Sequence, residues 1–181
     1  MRIILIGMKG CGKSTLGKRL ARRLALPFID SDAEIEQTHR LERGETLPFR
    51  QIYARYGAAY FRALDTRTLQ RVAEEYGERD FVLSCGGQTP LQEENQAILT
   101  RLGTVVYLQV ARHVLLQRIL AQGVPASFPY PDDAARSLDV LLAERLPIYT
   151  KLADITFDTS SGQVDELVAT LILELQAYDK D

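Results

Sequence analysis

Long apolar runs are missing from this chain of 181 residues. Nothing approaches the roughly 20 residues a membrane-spanning helix needs. The apolar run Arg2-Ile3-Ile4-Leu5-Ile6 is too short for a secretory leader. A surplus of one charge is missing too. The formal net charge is -2, which argues against general nucleic-acid binding, because affinity for a phosphate backbone calls for a basic surface. Cysteine is scarce. Of the 2 present, Cys11 lies in a glycine-rich stretch that a disulfide would distort, so reduced thiols in a cytoplasm are expected. Asparagine is scarcer still: Asn95, the only one, is followed by Gln96, so the Asn-Lys-x-Asp element with which regulatory GTPases read guanine is absent. No repeat or low-complexity tract interrupts the chain. What remains is one domain, residues 1–181, with 46% hydrophobic content and enough length to bury a sizeable core.

Against these absences stands Gly7-Met8-Lys9-Gly10-Cys11-Gly12-Lys13-Ser14, followed by Thr15, which reads G-x-x-x-x-G-K-[ST]. An apolar, β-branched run precedes it, as a buried strand requires. Leu16, Leu20 and Leu24 follow at helical spacing, with Lys18, Arg19, Arg22 and Arg23 on a solvated face. Strand, glycine loop and helix form the context in which this motif binds polyphosphate. The glycines let successive N–H groups turn toward one concavity, and the opening helix adds partial positive charge. Lys13 can reach the β- and γ-phosphates, and the Ser14 hydroxyl can ligate Mg²⁺. The chain is therefore expected to bind a nucleoside triphosphate. Cys11 could be a reactive thiol at a helix N-terminus, but a small residue filling a loop position is the simpler reading.

The remaining pattern alternates strands with helices. Strands are expected at 26–30, 80–84, 104–110 and 154–157, and helices from Ser31 or Asp32 through His39, then at 93–102, 112–120, 138–145 and 164–175. Residues 40–46 read as a polar loop, and helices over 48–55 and 58–76 break at Gly57. Three prolines exclude helix or central strand from 123–131. Strict alternation means an α/β fold in three layers, a five-stranded parallel sheet flanked by helices. Ligands then gather at the carboxyl ends of the strands, where the glycine loop, Asp30-Ser31-Asp32 and Gly86-Gly87 all fall.

With guanine readers excluded, small-molecule kinases remain. The phosphate loop, Asp30-Ser31-Asp32, Phe61-Arg62, Ser84-Cys85-Gly86-Gly87 and Arg145-Leu146-Pro147-Ile148-Tyr149 occur in the order and spacing of one family. Over nearly its whole length the chain resembles the shikimate kinases. The resemblance implies a P-loop fold, ATP and Mg²⁺ as cofactors, and conversion of shikimate to shikimate 3-phosphate in aromatic amino acid biosynthesis. It implies an ATP site at Gly10, Cys11, Gly12, Lys13, Ser14 and Thr15, with Arg118 packing on adenine and Gln163 near the base. Ser14 would ligate the metal directly, and Asp30 through water. Lys13 and Asp32 would be catalytic, Asp32 by holding the acceptor hydroxyls and taking the proton. Arg62 and Arg145 would clamp the acceptor carboxylate, a bidentate task suited to guanidinium groups. Gly86 and Gly87 would offer it N–H groups. Residues 31–62 would form the acceptor region and 121–134 a lid. A small acid is the expected partner of a cytoplasmic monomer, with neither nucleic acid nor membrane involved.

Plainer readings compete. Asp30 and Asp32 could merely cap a helix, and Arg62 and Arg145 could be solvated charges. His39 and His113 read as surface residues, and Tyr53, Tyr56 and Tyr60 as packing. Three departures from the family pattern bear on the acceptor and the chemistry. Gln88 replaces a third glycine, where its amide would intrude on the pocket. Residues 41–45 form an insertion. No basic residue lies between Arg118 and Arg136, so Ala126 or Ser127 stands where the family's lid arginine would be. Either Lys9, Arg136 or a partner subunit supplies that charge, or catalysis leans on Lys13 and Mg²⁺ alone. The alternatives to shikimate are another hydroxy acid such as homoserine, its ammonium facing Asp32 or Glu45, and a nucleotide-binding module without catalysis.

Overall fold

Ile3, Ile4, Leu5 and Ile6 are completely buried, which is why the chain's most apolar run becomes its central strand. A computed structural model describes residues 1–125 and 128–179. Its strands are β1 (Arg2–Ile6), β2 (Phe28–Asp30), β3 (Phe81–Ser84), β4 (Thr104–Gln109) and β5 (Ile155–Asp158). They pair in the order β2-β3-β1-β4-β5, every pair parallel. The helices are α1 (Lys13–Leu24), α2 (Ser31–Arg43), α3 (Phe49–Tyr76), α4 (Glu93–Leu102), α5 (Arg112–Gln122), α6 (Ala134–Leu152) and α7 (Val164–Tyr178). The chain leaves β1 for one edge and returns to its other side at β4, so the crevice opens at the carboxyl end of β1. The glycine loop sits there. Helix α1 lies close on the sheet because residue 17 is glycine: a Cβ there would fall 2.7 Å from the Phe28 ring and 2.9 Å from Leu5.

The expected three-layer α/β architecture stands, with differences at element ends. Helix α2 runs on to Arg43, so residues 40–43 are helix and not loop. Leu41, Glu42 and Arg43 are good helix formers, and Gly44 ends the helix at φ +71°. The Arg67 guanidinium on α3 donates two 2.8 Å bonds to Glu42, so the insertion lengthens a clasped helix pair. Gly57 (φ +81°) breaks α3 as expected. Helix α6 spans Ala134 to Leu152 and passes through Pro147, where 138–145 had been expected. An interior proline costs about 3 kcal/mol. Complete burial of Leu138 and Tyr149, the latter against Tyr107 at 5.3 Å, offsets that loss.

His39 is another correction. It is not on the surface but fully buried between α2 and α3, with Nδ1 2.8 Å from the Tyr60 hydroxyl and Tyr56 edge-on at 5.2 Å. Its charged sequence neighbours point outward while the helix pair closes over the ring. His113 is exposed as expected. Tyr56 and Tyr60 pack with the small core of Ile35, Ile52 and Leu64, and Tyr53, 41% exposed, packs edge-on against Phe61 at 5.5 Å.

Candidate active site

The glycine loop is held by its own lysine. Lys13 Nζ donates to the carbonyl oxygens of Gly7 (2.8 Å) and Met8 (2.9 Å), and the side chain is buried. Gly7, Gly10 and Gly12 all have positive φ, and a Cβ on Gly7 would meet Cys11 Sγ and the Leu108 carbonyl oxygen at 2.9 Å. The loop therefore needs glycine at its first position for both conformation and space. Cys11 is buried, with its N–H on the Met8 carbonyl, and fills the loop; it is no exposed nucleophile. Thr15 is exposed on the first turn of α1.

Parallel register sets the metal side. Ser84 on β3 pairs with Asp30 on β2 and Leu5 on β1, so three strand ends finish at one level. Ser14 Oγ lies 3.3 Å from Asp30 Oδ2 and 3.5 Å from Ser84 Oγ. These are hard oxygen donors, and the set fits a small divalent cation such as Mg²⁺. Among the described residues no three His, Cys, Asp and Glu side chains converge as a ready metal cage.

Asp30, and neither Ser31 nor Asp32, caps α2: its Oδ1 accepts from the Asp32 N–H at 3.1 Å. Strand β2 ends at Asp30, which leaves its carboxylate in the N-cap position and frees Asp32. Ser31 Oγ accepts from the Gly86 N–H at 2.7 Å. The Gly86 amide is thus bonded inside the protein, while its Cα abuts Asp32: a Cβ there would lie 3.6 Å from Asp32 Oδ1. Burial, then repulsion from Asp30, raises the Asp32 carboxyl to about 6, with Lys13 pulling it down.

Gly87 joins the two halves. A Cβ on it would stand 3.7 Å from Arg145 Nη1, 3.7 Å from the Lys9 nitrogen and 3.5 Å from the Gly7 oxygen. Its carbonyl accepts from the Tyr149 hydroxyl at 2.5 Å, one turn beyond Arg145 on α6. Arg145 is 9% exposed with Nε unsatisfied, and among the described residues no carboxylate pairs with it. Arg62 is exposed on α3, its carbonyl accepting from Gln92 Nε2 at 3.4 Å, which tethers that turn to the segment following Gly87.

Gln88 is exposed with φ −97° and opens a 3-10 turn over Thr89–Leu91, so the backbone there needs no third glycine. Glu45 is taken up elsewhere. It accepts from Tyr56 (2.7 Å) and Arg55 (3.3 Å) and faces His39, so it is no partner for a substrate ammonium. On the nucleotide side, Arg118 Nη2 donates to the Thr159 carbonyl at 2.8 Å, and Thr159 Oγ1 donates to the Cys11 carbonyl at 3.1 Å. Gln163 is exposed at the start of α7, its N–H on Glu166. The expected lid begins in the last turn of α5. Phe128 is buried, Tyr130 is bracketed by Ser137 Oγ, and Ala126 and Ser127 lie outside the described residues.

Sequence reasoning missed a polar girder beneath the acceptor glycines. Asp65 accepts from Thr89 Oγ1 (3.0 Å) and Asn95 Nδ2 (3.2 Å), and Thr66 donates to Asn95 (2.8 Å). Thr89 Oγ1 in turn sits 3.2 Å from where a Gly86 Cβ would be. No motif marks these residues; only α3 and α4 packing together unites them. Burial raises the Asp65 carboxyl to about 6 despite the two bonds. An unfolded aspartate titrates near 4, so from about pH 4 to 6 only the folded chain holds that proton. Stability should therefore fall by up to about 3 kcal/mol as pH rises through that window, and level off above it. Asp65→Asn should flatten this slope in urea-unfolding midpoints measured across the window. An unchanged slope would assign the titration to another group.

A surface cavity at the opposite, amino end of the sheet is lined by Arg2, Gly77, Asp80 and Asp154, away from the glycine loop. Chemistry therefore belongs to the carboxyl edge. There a nucleotide on the glycine loop can meet a small anion on the Asp32 side, the working plan of P-loop kinases of small metabolites. Known proteins narrow the class. The shikimate kinase family model matches residues 9–176. The shikimate kinase of Bordetella pertussis is 35% identical over 178 residues, 98% of this chain and 80% of that protein. That of Stenotrophomonas maltophilia is 36% identical over 173 residues, 96% and 91% of the two chains. The fold superimposes on a structure of Acinetobacter baumannii shikimate kinase in complex with shikimate, with TM-score 0.83 and 30% identity over 97% of this chain and 93% of that one. The chain belongs to the shikimate kinase family.

Proposed function

We propose that this chain transfers the γ-phosphoryl group of ATP to a hydroxyl of shikimate, giving shikimate 3-phosphate and ADP. One observation carries the acceptor class: Arg145 is buried without an internal carboxylate. A buried guanidinium is costly unless an anion completes it, and a substrate carboxylate is such an anion. Arg62, exposed on α3 with its carbonyl tied to Gln92, supplies the second arm of the clamp. Asp32, beside Gly86, orients the acceptor hydroxyl and takes its proton. As the acceptor oxygen bonds to the γ-phosphorus, the bond to the β–γ bridging oxygen breaks and its electron pair leaves on ADP. Ser14 and Asp30 hold Mg²⁺, which when bound neutralises phosphate charge. Holding both reactants in line is most of what such a transfer requires.

We read the enzyme as a cytoplasmic monomer. Both cysteines are free and buried, as reduced thiols are. No helix among the described residues is long and apolar enough to cross a membrane. The reading is tested by ATP turnover against shikimate, homoserine, gluconate and nucleoside monophosphates. ADP release should depend on shikimate and exceed that with the other acceptors by orders of magnitude. Efficient turnover of another acid, or ATP binding with no acceptor-dependent release, would overturn it.

A further inference from the structure

The segment from Ile119 to Ala135 contains no cation, and its flanking arginines are occupied. Arg118 donates to the Thr159 carbonyl, and Arg136 stacks on Tyr130 with 3.9 Å to the ring centroid. Lys13, bonded within the loop to two of its carbonyls, is the cation that the phosphate cradle itself brings to ATP, and Arg145 lies deep under Gly87. A transferring phosphoryl group nevertheless gathers charge on its equatorial oxygens, and a cation aimed at them is a large part of catalysis.

Lys9 stands where that cation is needed. It lies in the glycine loop between Gly7 and Gly10, its main-chain nitrogen beside Gly87, so its side chain leaves the loop at the seam between the phosphate cradle and the acceptor glycines. It is exposed, and among the described residues no carboxylate pairs with it. Across the seam, Glu36 lies one turn beyond Asp32 on α2 and accepts from the Phe49 N–H at 2.9 Å. That bond ties the first turn of α3, which carries Arg50, to α2. Lys9, Asp32 and Arg50 feel one another's charge: desolvation and then Arg50 lower the Lys9 ammonium, while Asp32 opposes them. A cation already crowded by another gains most from an incoming dianion.

We infer that Lys9 is a further catalytic residue, its ammonium contacting the equatorial oxygens of the phosphoryl group in flight and supplying from the glycine loop the charge that the lid lacks. This rests on the shikimate kinase reading. In the transfer the acceptor oxygen–phosphorus bond forms, the bridging oxygen–phosphorus bond breaks with its pair on ADP, and Asp32 takes the proton. Lys9 exchanges no proton; it offsets the charge in passage.

Lys9→Met should lower kcat with shikimate about 10²-fold, less than the 10³–10⁵ of a supplied arginine because Lys13 and the metal remain. KM for ATP and for shikimate should stay within about threefold, and Lys9→Arg should restore most of kcat, because positive charge is what the role requires. A second measurement needs no acceptor: Mg²⁺, ADP and aluminium fluoride, a mimic of the transferring group, should bind the Met variant at least tenfold more weakly than wild type, with ADP alone unchanged. A wild type inert toward shikimate would sink the functional reading, and fluoroaluminate binding would still decide the role of Lys9. Unaltered fluoroaluminate affinity, or a Met variant with near wild-type kcat, would overturn the inference.

Discussion

Asp32→Asn should reduce kcat by roughly 10²–10⁴-fold, the range for loss of a positioned general base, with little change in KM for ATP. Asp32 is placed for the role by its neighbours. Asp30 takes over the capping of α2, leaving the Asp32 carboxylate free at the start of the helix, and Gly86 gives it a wall without a side chain. Its raised titration, to about 6, follows from burial and from Asp30 at two residues' distance. Above that value the carboxylate is ionised and can accept a proton. Below it the rate should fall about tenfold per pH unit, as for a single essential base. The acid limb of kcat/KM for ATP should therefore sit near 6, and it should disappear in the Asn variant. Mg²⁺ held at Ser14 and Asp30, as proposed, would relieve the repulsion from Asp30, so the limb of kcat at saturating MgATP should move to lower pH. A residual limb at the original position in Asp32→Asn would assign the titration elsewhere.

Arg145→Ala should weaken acceptor kcat/KM by about 2–5 kcal/mol, the effect of truncating one partner of a buried charge pair. The ATP dependence should barely move. Arg145 lies under Gly87 beside the Tyr149 hydroxyl, and Nε still seeks a partner, so the site is preformed for a flat anion. Arg145→Lys should recover little, because an ammonium cannot reproduce a two-pronged contact. Arg62→Ala should show a comparable acceptor defect without loss of thermal stability, since Arg62 is exposed. Should ATP affinity fall together with acceptor affinity in Arg62→Ala, Arg62 is a structural residue and the clamp has one arm.

Much of this site could be read from residue order. Gly7 to Ser14 carries its meaning in spacing alone, because loop conformation, helix start and metal hydroxyl are local. Asp30-Ser31-Asp32 was legible as a unit with Asp32 the expected base, yet which residue caps α2 depended on where β2 stopped. The end of α2 is hidden in the sequence because Leu41-Glu42-Arg43 holds a single, exposed apolar residue and no apolar periodicity, and its helix is held from outside by Arg67. Pro147 misled for a related reason: local propensity ends a helix there, whereas packing around Tyr149 continues it. His39 and Asp65 carried no signal, since a lone polar residue in a charged stretch looks solvated until another helix covers it.

Written into the chain order are the fold class, the nucleotide loop and the kinship with shikimate kinases, all of which depend on short-range periodicity and contiguous motifs. Three-dimensional packing alone assigned the burial of Arg145, the diversion of Glu45 and the Gly86 amide, and the meeting of Lys9, Asp32 and Arg50. Those outcomes depend on contacts between residues far apart along the backbone, and charge and desolvation act through space without regard to sequence distance.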